Sequence, residues 1–97
     1  MAEKTERADD NTIFIGKKPT MSYVLAAITQ LGKNSEIHVR ARGRSISTAV
    51  DVAEVVRNRF MQNLKNAVTI GTDQVTDREN RTLNVSTIDI LLSKQGA

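Results

Sequence analysis

Cysteine and tryptophan are absent from this 97-residue chain, and histidine and proline occur once each. Without thiols there is no disulfide and no cysteine metal site. With His38 as the sole histidine, a zinc site would have to lean on carboxylates. No apolar signal core opens the chain, and no run approaches a membrane span. The expected protein is therefore soluble, cytoplasmic and without a membrane partner, and neither metal nor cofactor is called for.

The charge that is present is uneven. The net charge is +3, yet residues 1–16 carry −2, residues 17–59 carry +5 and residues 60–97 balance. Positive charge belongs to the middle of the chain, where a footprint on phosphate is to be sought. Residues 1–11 are charged and nearly free of apolar groups, which predicts a flexible tail ahead of a single domain over 12–97.

Within that basic middle, Ile37-His38-Val39-Arg40-Ala41-Arg42-Gly43-Arg44 alternates apolar and polar residues. The period of two fits a half-buried strand whose open face is basic. Gly43 permits a sharp turn, and Ser45 is placed to cap the helix that follows. Crowding Arg40, Arg42 and Arg44 together costs repulsion, so the cluster suggests a polyanionic partner. A solvated strand face is the simpler reading of the same pattern.

The rest of the chain supplies the frame. Thr12-Ile13-Phe14-Ile15 reads as a buried strand ended by Gly16; Lys17 and Lys18 fill the connection, and Pro19 suits the first position of a helix. Met21, Val24, Leu25, Ile28 and Leu31 share one face of that helix, which closes near Gly32. A second helix is expected from about Ser45 to Met61, with Ile46, Ala49, Val50, Ala53, Val56 and Phe60 inward. Val52 and Val55 fall on a flank that this face leaves unexplained, either a subunit contact or loose packing. Residues 62–66 read as a polar connection. Ala67–Thr76 and Thr82–Leu92 then form two strands joined through Asp77-Arg78-Glu79-Asn80-Arg81. The apolar phase shifts between Val85 and Ile88, which predicts a bulge or twist near Ser86-Thr87. The distal half is too polar for a core, so a projecting hairpin arm is expected, with Arg78 and Arg81 near its tip. The order β-α-β-α-β-β makes a two-layer α/β sandwich.

Other chemistries have thinner support. Gly16-Lys17-Lys18-Pro19-Thr20 lacks the frame of a phosphate-binding hydrolase loop. His38 has no nucleophile beside it and reads as a surface or partner-facing residue. Asp51 and Glu54 share a helical face, read as solvated rather than metal-binding, with Glu54 near Arg57. Tyr23 is a candidate for base stacking, but packing in a core or interface fits it better.

Ile15-Gly16-Lys17-Lys18-Pro19 with Met21-Ser22-Tyr23-Val24 resembles the opening of Alba, the archaeal chromatin protein family. Ala41-Arg42-Gly43-Arg44, Ala49-Val50-Asp51, Arg57-Asn58-Arg59-Phe60 and Val85-Ser86-Thr87-Ile88 match it in the same order, over about residues 12 to 94. The resemblance implies the fold of the C-terminal domain of bacterial translation initiation factor three. It also implies a homodimer without enzymatic activity that binds double-stranded DNA with little sequence preference, binds RNA as well, and resides on the chromosome or nucleoid. Lys17 and Lys18 would sit at the centre of the nucleic-acid surface, flanked by Arg42 and Arg44, with the arms along the minor groove. Lys17 would be the acetylation position, with an acetylase and deacetylase as further partners. Phe60 would belong to a contact between dimers on DNA. A primarily RNA-directed role is the alternative. The two acids in the tip Asp77-Arg78-Glu79-Asn80-Arg81 depart from the family pattern and bear on the arm contact.

Overall fold

The apolar alternation and the two helical stripes resolve into one four-stranded sheet with two helices, in a computed structural model that describes residues 11–94. The tail expected over residues 1–11 lies outside the described residues apart from Asn11. The elements are β1 (Thr12–Phe14), α1 (Thr20–Leu31), β2 (Glu36–Arg42), α2 (Ile46–Val55), β3 (Leu64–Thr76) and β4 (Thr82–Lys94). A 3-10 turn, Gly43–Ser45, leads into α2, and a π-helical turn, Val56–Phe60, extends it. The expected β-α-β-α-β-β order and mixed α/β class hold. The sheet order is β1-β2-β4-β3, with β1 parallel to β2 and the other neighbours antiparallel.

Both helices cover the sheet face formed by Ile13, Ile37, Val39, Ile88, Ile90 and Leu92, all buried. The opposite face carries His38, Arg40 and Arg42 of β2, as alternation requires. The helical stripes differ from expectation in phase. In α1 the buried residues are Tyr23, Val24, Ala27 and Leu31, while Met21 and Leu25 are exposed. In α2 they are Ala49, Val52 and Ala53, continued by Val56, an i, i+3, i+4, i+7 stripe. Val52 is thus core, not a surplus flank, and Val50 is exposed instead. Phe60 leaves the core because the Met61 N–H donates to the Val56 carbonyl at 2.8 Å, a bond spanning five residues that widens the last turn.

Smaller corrections follow from hydrogen bonding. Ser45 makes no side-chain cap; its backbone is helical, and the Ile46 N–H reaches the Gly43 carbonyl through the 3-10 turn. Pro19 stands one residue before the helix, not in its first turn. β3 begins at Leu64, inside the supposed connection, and β4 runs on to Lys94. No bulge occurs at Ser86-Thr87: the β3–β4 register is unbroken from Leu64↔Lys94 to Thr76↔Thr82. Leu83 and Val85 simply lie on the face opposite Ile88 and Ile90. Beyond the helix layer neither face is covered, so the apolar pattern changes sides without a defect.

The arm itself follows from pairing. β2 ends at Arg42, opposite Thr87. From Thr72↔Ser86 to Thr76↔Thr82 the hairpin has no third strand beside it, so it projects roughly 17 Å past the end of β2 before its turn, at about 3.4 Å per residue. The molecule is accordingly elongated, 49 × 28 × 23 Å.

Candidate nucleic-acid interface

Parallel neighbours that each lead into a helix release their loops at one end of the sheet. Phe14 pairs with Arg40, and the Ile15 N–H donates to the Arg40 carbonyl at 2.9 Å. Gly16-Lys17-Lys18 therefore leaves β1 beside the point where Arg42-Gly43-Arg44 leaves β2. The arm departs from this same end, since Thr87 lies opposite Arg42. One end of the sheet thus gathers Lys17, Lys18, Arg42 and Arg44, with Arg78 and Arg81 carried outward.

The lysine loop is fastened from below. Tyr23 is buried, and its hydroxyl accepts the backbone N–H of Gly16 at 2.8 Å and of Lys18 at 3.0 Å. The expectation of core or interface packing for Tyr23 is met by burial in the core, but that the residue also ties down the loop was not legible from its spacing. Tyr23→Phe keeps the ring and removes the acceptor. It should cost ~1–2 kcal/mol in urea unfolding, and the Gly16 and Lys18 amides should exchange faster while helix amides do not.

The arginine turn is built differently. Gly43 holds φ +60°, the left-handed region that glycine enters without a Cβ clash. This reverses the chain sharply enough to leave Arg44 exposed at the entry to α2.

Not all the cations are free. Asp89, which the sequence did not single out, stands between two of the open-face bases: Oδ2 accepts from Arg40 Nε at 2.8 Å and Oδ1 meets His38 Nδ1 at 2.9 Å. Its signal was present only in the cross-strand register Arg40↔Asp89. Arg42 has a long contact to Asp73, 3.7 Å. At the tip, Asp77 organises the turn by accepting the backbone N–H groups of Glu79 and Arg81 and the Arg81 guanidinium. The Arg81 backbone N–H does most to hold the Asp77 carboxyl below its ordinary value. Desolvation opposes it, and the Glu79 N–H and Arg81 guanidinium add to it. Asn80, at φ 63°, takes the left-handed position this turn needs. Arg81 is further paired with Glu79 at 3.3 Å, so it is spent within the tip.

Lys17, Lys18, Arg44 and Arg78 are exposed and have no carboxylate partner among the described residues. Of the expected binding residues, these four keep an uncompensated charge; Arg40 and Arg81 are held by neighbours, and Arg42 loosely so. Phe60 is half exposed, away from the core, next to Arg59. Glu54 does meet Arg57, at 2.7 Å.

Known proteins resemble the chain over most of its length. The family model described as Alba matches residues 11–74. The DNA/RNA-binding protein Alba of Methanocella arvoryzae is 45% identical over 91 residues, covering 92% of this chain and 95% of that protein. The DNA/RNA-binding protein Alba 1 of Archaeoglobus fulgidus is 48% identical over 88 residues, covering 89% and 98%. Among solved structures, Alba from Thermoplasma volcanium superposes with a TM-score of 0.81 at 45% identity, covering 87% of this chain and all of that one.

Proposed function

The chain belongs to the Alba family, and from that premise and the charge geometry we propose a binding protein, not an enzyme, that coats and compacts duplex DNA as a homodimer and also binds RNA. The observation that carries this reading is the cluster of Lys17, Lys18 and Arg44, without carboxylate partners among the described residues, at the end of the sheet from which the arm projects with Arg78. Its relatives are named for DNA and RNA binding. Fixed cations at a strand end engage phosphate oxygens, which position a protein on the polymer without reading bases. Residence on the nucleoid follows from such binding. Among the described residues no helix is long and apolar enough to cross a membrane.

The dimer would use β3. This edge strand has Val68 and Ile70 on the helix side of the sheet, level with buried Ile90 and Ile88, yet they are 54% and 77% exposed because no helix reaches them. An uncovered edge of this kind invites a second subunit. Two-fold symmetry would double the cationic end and space it along a duplex. Phe60, exposed on the π turn, would serve contacts between neighbouring dimers, and the exposed Lys17 amino group is the candidate for acetylation.

The test is a titration of duplex DNA and structured RNA at several salt concentrations, with sedimentation to follow assembly. Tight duplex binding, little sequence effect and a log–log salt slope of ~0.9 per neutralised phosphate are expected. Preference for RNA would favour the RNA-directed alternative; binding to neither polymer at low salt would defeat the proposal.

A further inference from the structure

The sequence reading buried Phe14 with its strand, but the ring is 56% exposed on the open face of the sheet. Register places it in one row with Arg40 and Asp89, and Arg42 and Thr87 form the next row toward the cationic end. These residues and Asp73, together with Ile70 and Ile88 from the helix side of the sheet, line a groove of about 660 Å³. Of the cations gathered at the end of the sheet, only Arg42 borders it.

We propose that this groove holds an unpaired base of single-stranded RNA, stacked on the Phe14 ring. The inference rests on the nucleic-acid reading above and adds a separate site to it. Three features of the groove argue for a base. An exposed aromatic face is what an unstacked base packs against, whatever its identity. The walls offer both donors and acceptors: arginine N–H groups suit base carbonyl and ring-nitrogen acceptors, and carboxylate oxygens suit exocyclic amino groups. The charges also cancel locally, Arg40 against Asp89 and Arg42 against Asp73. Such lining is a poor phosphate site and a good one for a neutral, polar-edged ring.

The phosphates have their own place. Lys17 and Lys18 follow Phe14 by three and four residues, so a strand with one base in the groove would carry its backbone toward the unpaired cations. Duplex DNA keeps its bases inside the stack and cannot use the groove, whereas RNA presents unpaired bases in loops and single-stranded stretches. Phe14, Arg40 and Asp89 lie on the sheet face opposite Val68 and Ile70, but Ile70 also borders the groove, so sedimentation must separate a bound base from a second subunit there.

The experiment titrates the full chain, Phe14→Ala and Phe14→Tyr against single-stranded RNA containing 2-aminopurine, with duplex DNA and single-stranded DNA in parallel. Wild type and Phe14→Tyr should quench the 2-aminopurine on binding, and Phe14→Ala should lose the quench. Phe14→Ala should weaken RNA binding about 10-fold or more, the scale of one lost stacking contact, with duplex affinity changed less than about twofold. Equal losses on both polymers, or a change in sedimentation showing that Phe14 contacts a second copy, would overturn the proposal. Phe14-dependent binding confined to single-stranded DNA would overturn the choice of RNA. Wild type binding duplex but not single strands defeats this inference alone; binding neither defeats the nucleic-acid reading beneath it.

Discussion

Val52→Asp will leave little folded protein, while Val50→Asp, two residues away on the same helix, will fold nearly as well as the wild type. Val52 is fully buried and Val50 is 41% exposed. Helix propensity changes alike at both positions, so the contrast isolates which side of α2 meets the sheet. At Val52 the change removes side-chain burial of ~1.5–3 kcal/mol. It also leaves a carboxylate without a partner inside the core, which costs several kcal/mol more. Together these approach the ~5–15 kcal/mol that holds a small domain folded. At Val50 the carboxylate stays in water, and a cost within ~1 kcal/mol is expected. Urea unfolding followed by circular dichroism decides it. A folded Val52→Asp variant beside an unfolded Val50→Asp variant would mean that the helix is turned the other way.

That pair also shows where sequence reading of the fold stops. The order and type of the four strands and two α-helices were legible, because alternation in β2 and helical spacing in α1 and α2 are strong periodic signals, whereas the 3-10 and π turns flanking α2 were not. Rotation of a helix about its own axis was not. α2 and the start of its π turn carry apolar residues at 46, 49, 50, 52, 53, 55 and 56, more than one stripe needs, so two stripes fit the pattern equally well. Contact with the sheet chooses between them, and contact is not a local property. The π turn compounds the error, since its extra residue shifts the phase that would have carried Phe60 inward.

The site was legible in its cations and illegible in what restrains them. Lys17, Lys18, Arg42 and Arg44 announce themselves as a local excess of charge, and the β-α-β order is enough to bring their two loops together. Asp89 is 49 residues from Arg40, so only the β2–β4 register reveals that it neutralises that arginine. Tyr23 read as a stacking candidate or, better, a core or interface residue; its role depends on where the hydroxyl ends, beneath the Gly16 and Lys18 amides. Phe14 sits in a short apolar run whose neighbours Ile13 and Ile15 are buried. A three-residue edge strand is too short for alternation to separate its two faces.

Reversing both lysines, Lys17→Glu with Lys18→Glu, should weaken duplex binding roughly 100-fold or more at moderate salt and flatten the salt slope by ~1.8 per protomer, two phosphates' worth. Both side chains are exposed and free of ion pairs among the described residues, so no internal contact is broken and the unfolding midpoint should hardly move. The effect must be separated from a mere change in net charge. Lys65 and Lys94 provide the control, for they lie at the opposite end of the sheet, beside the Leu64↔Lys94 pair that begins β3. Lys65→Glu with Lys94→Glu changes the total charge by the same amount, yet should cost less than about 5-fold, because exposed charges more than a Debye length of ~8–10 Å from the bound phosphates are largely screened. Electrophoretic and fluorescence titrations at three or more salt concentrations give both affinity and slope. Comparable losses for the two double variants would mean that diffuse charge, not the loop held by Tyr23, binds the polymer. A steep loss confined to Lys17 and Lys18 ties affinity to that loop, where the β1–β2 register puts it beside the Arg42–Arg44 turn at the root of the arm.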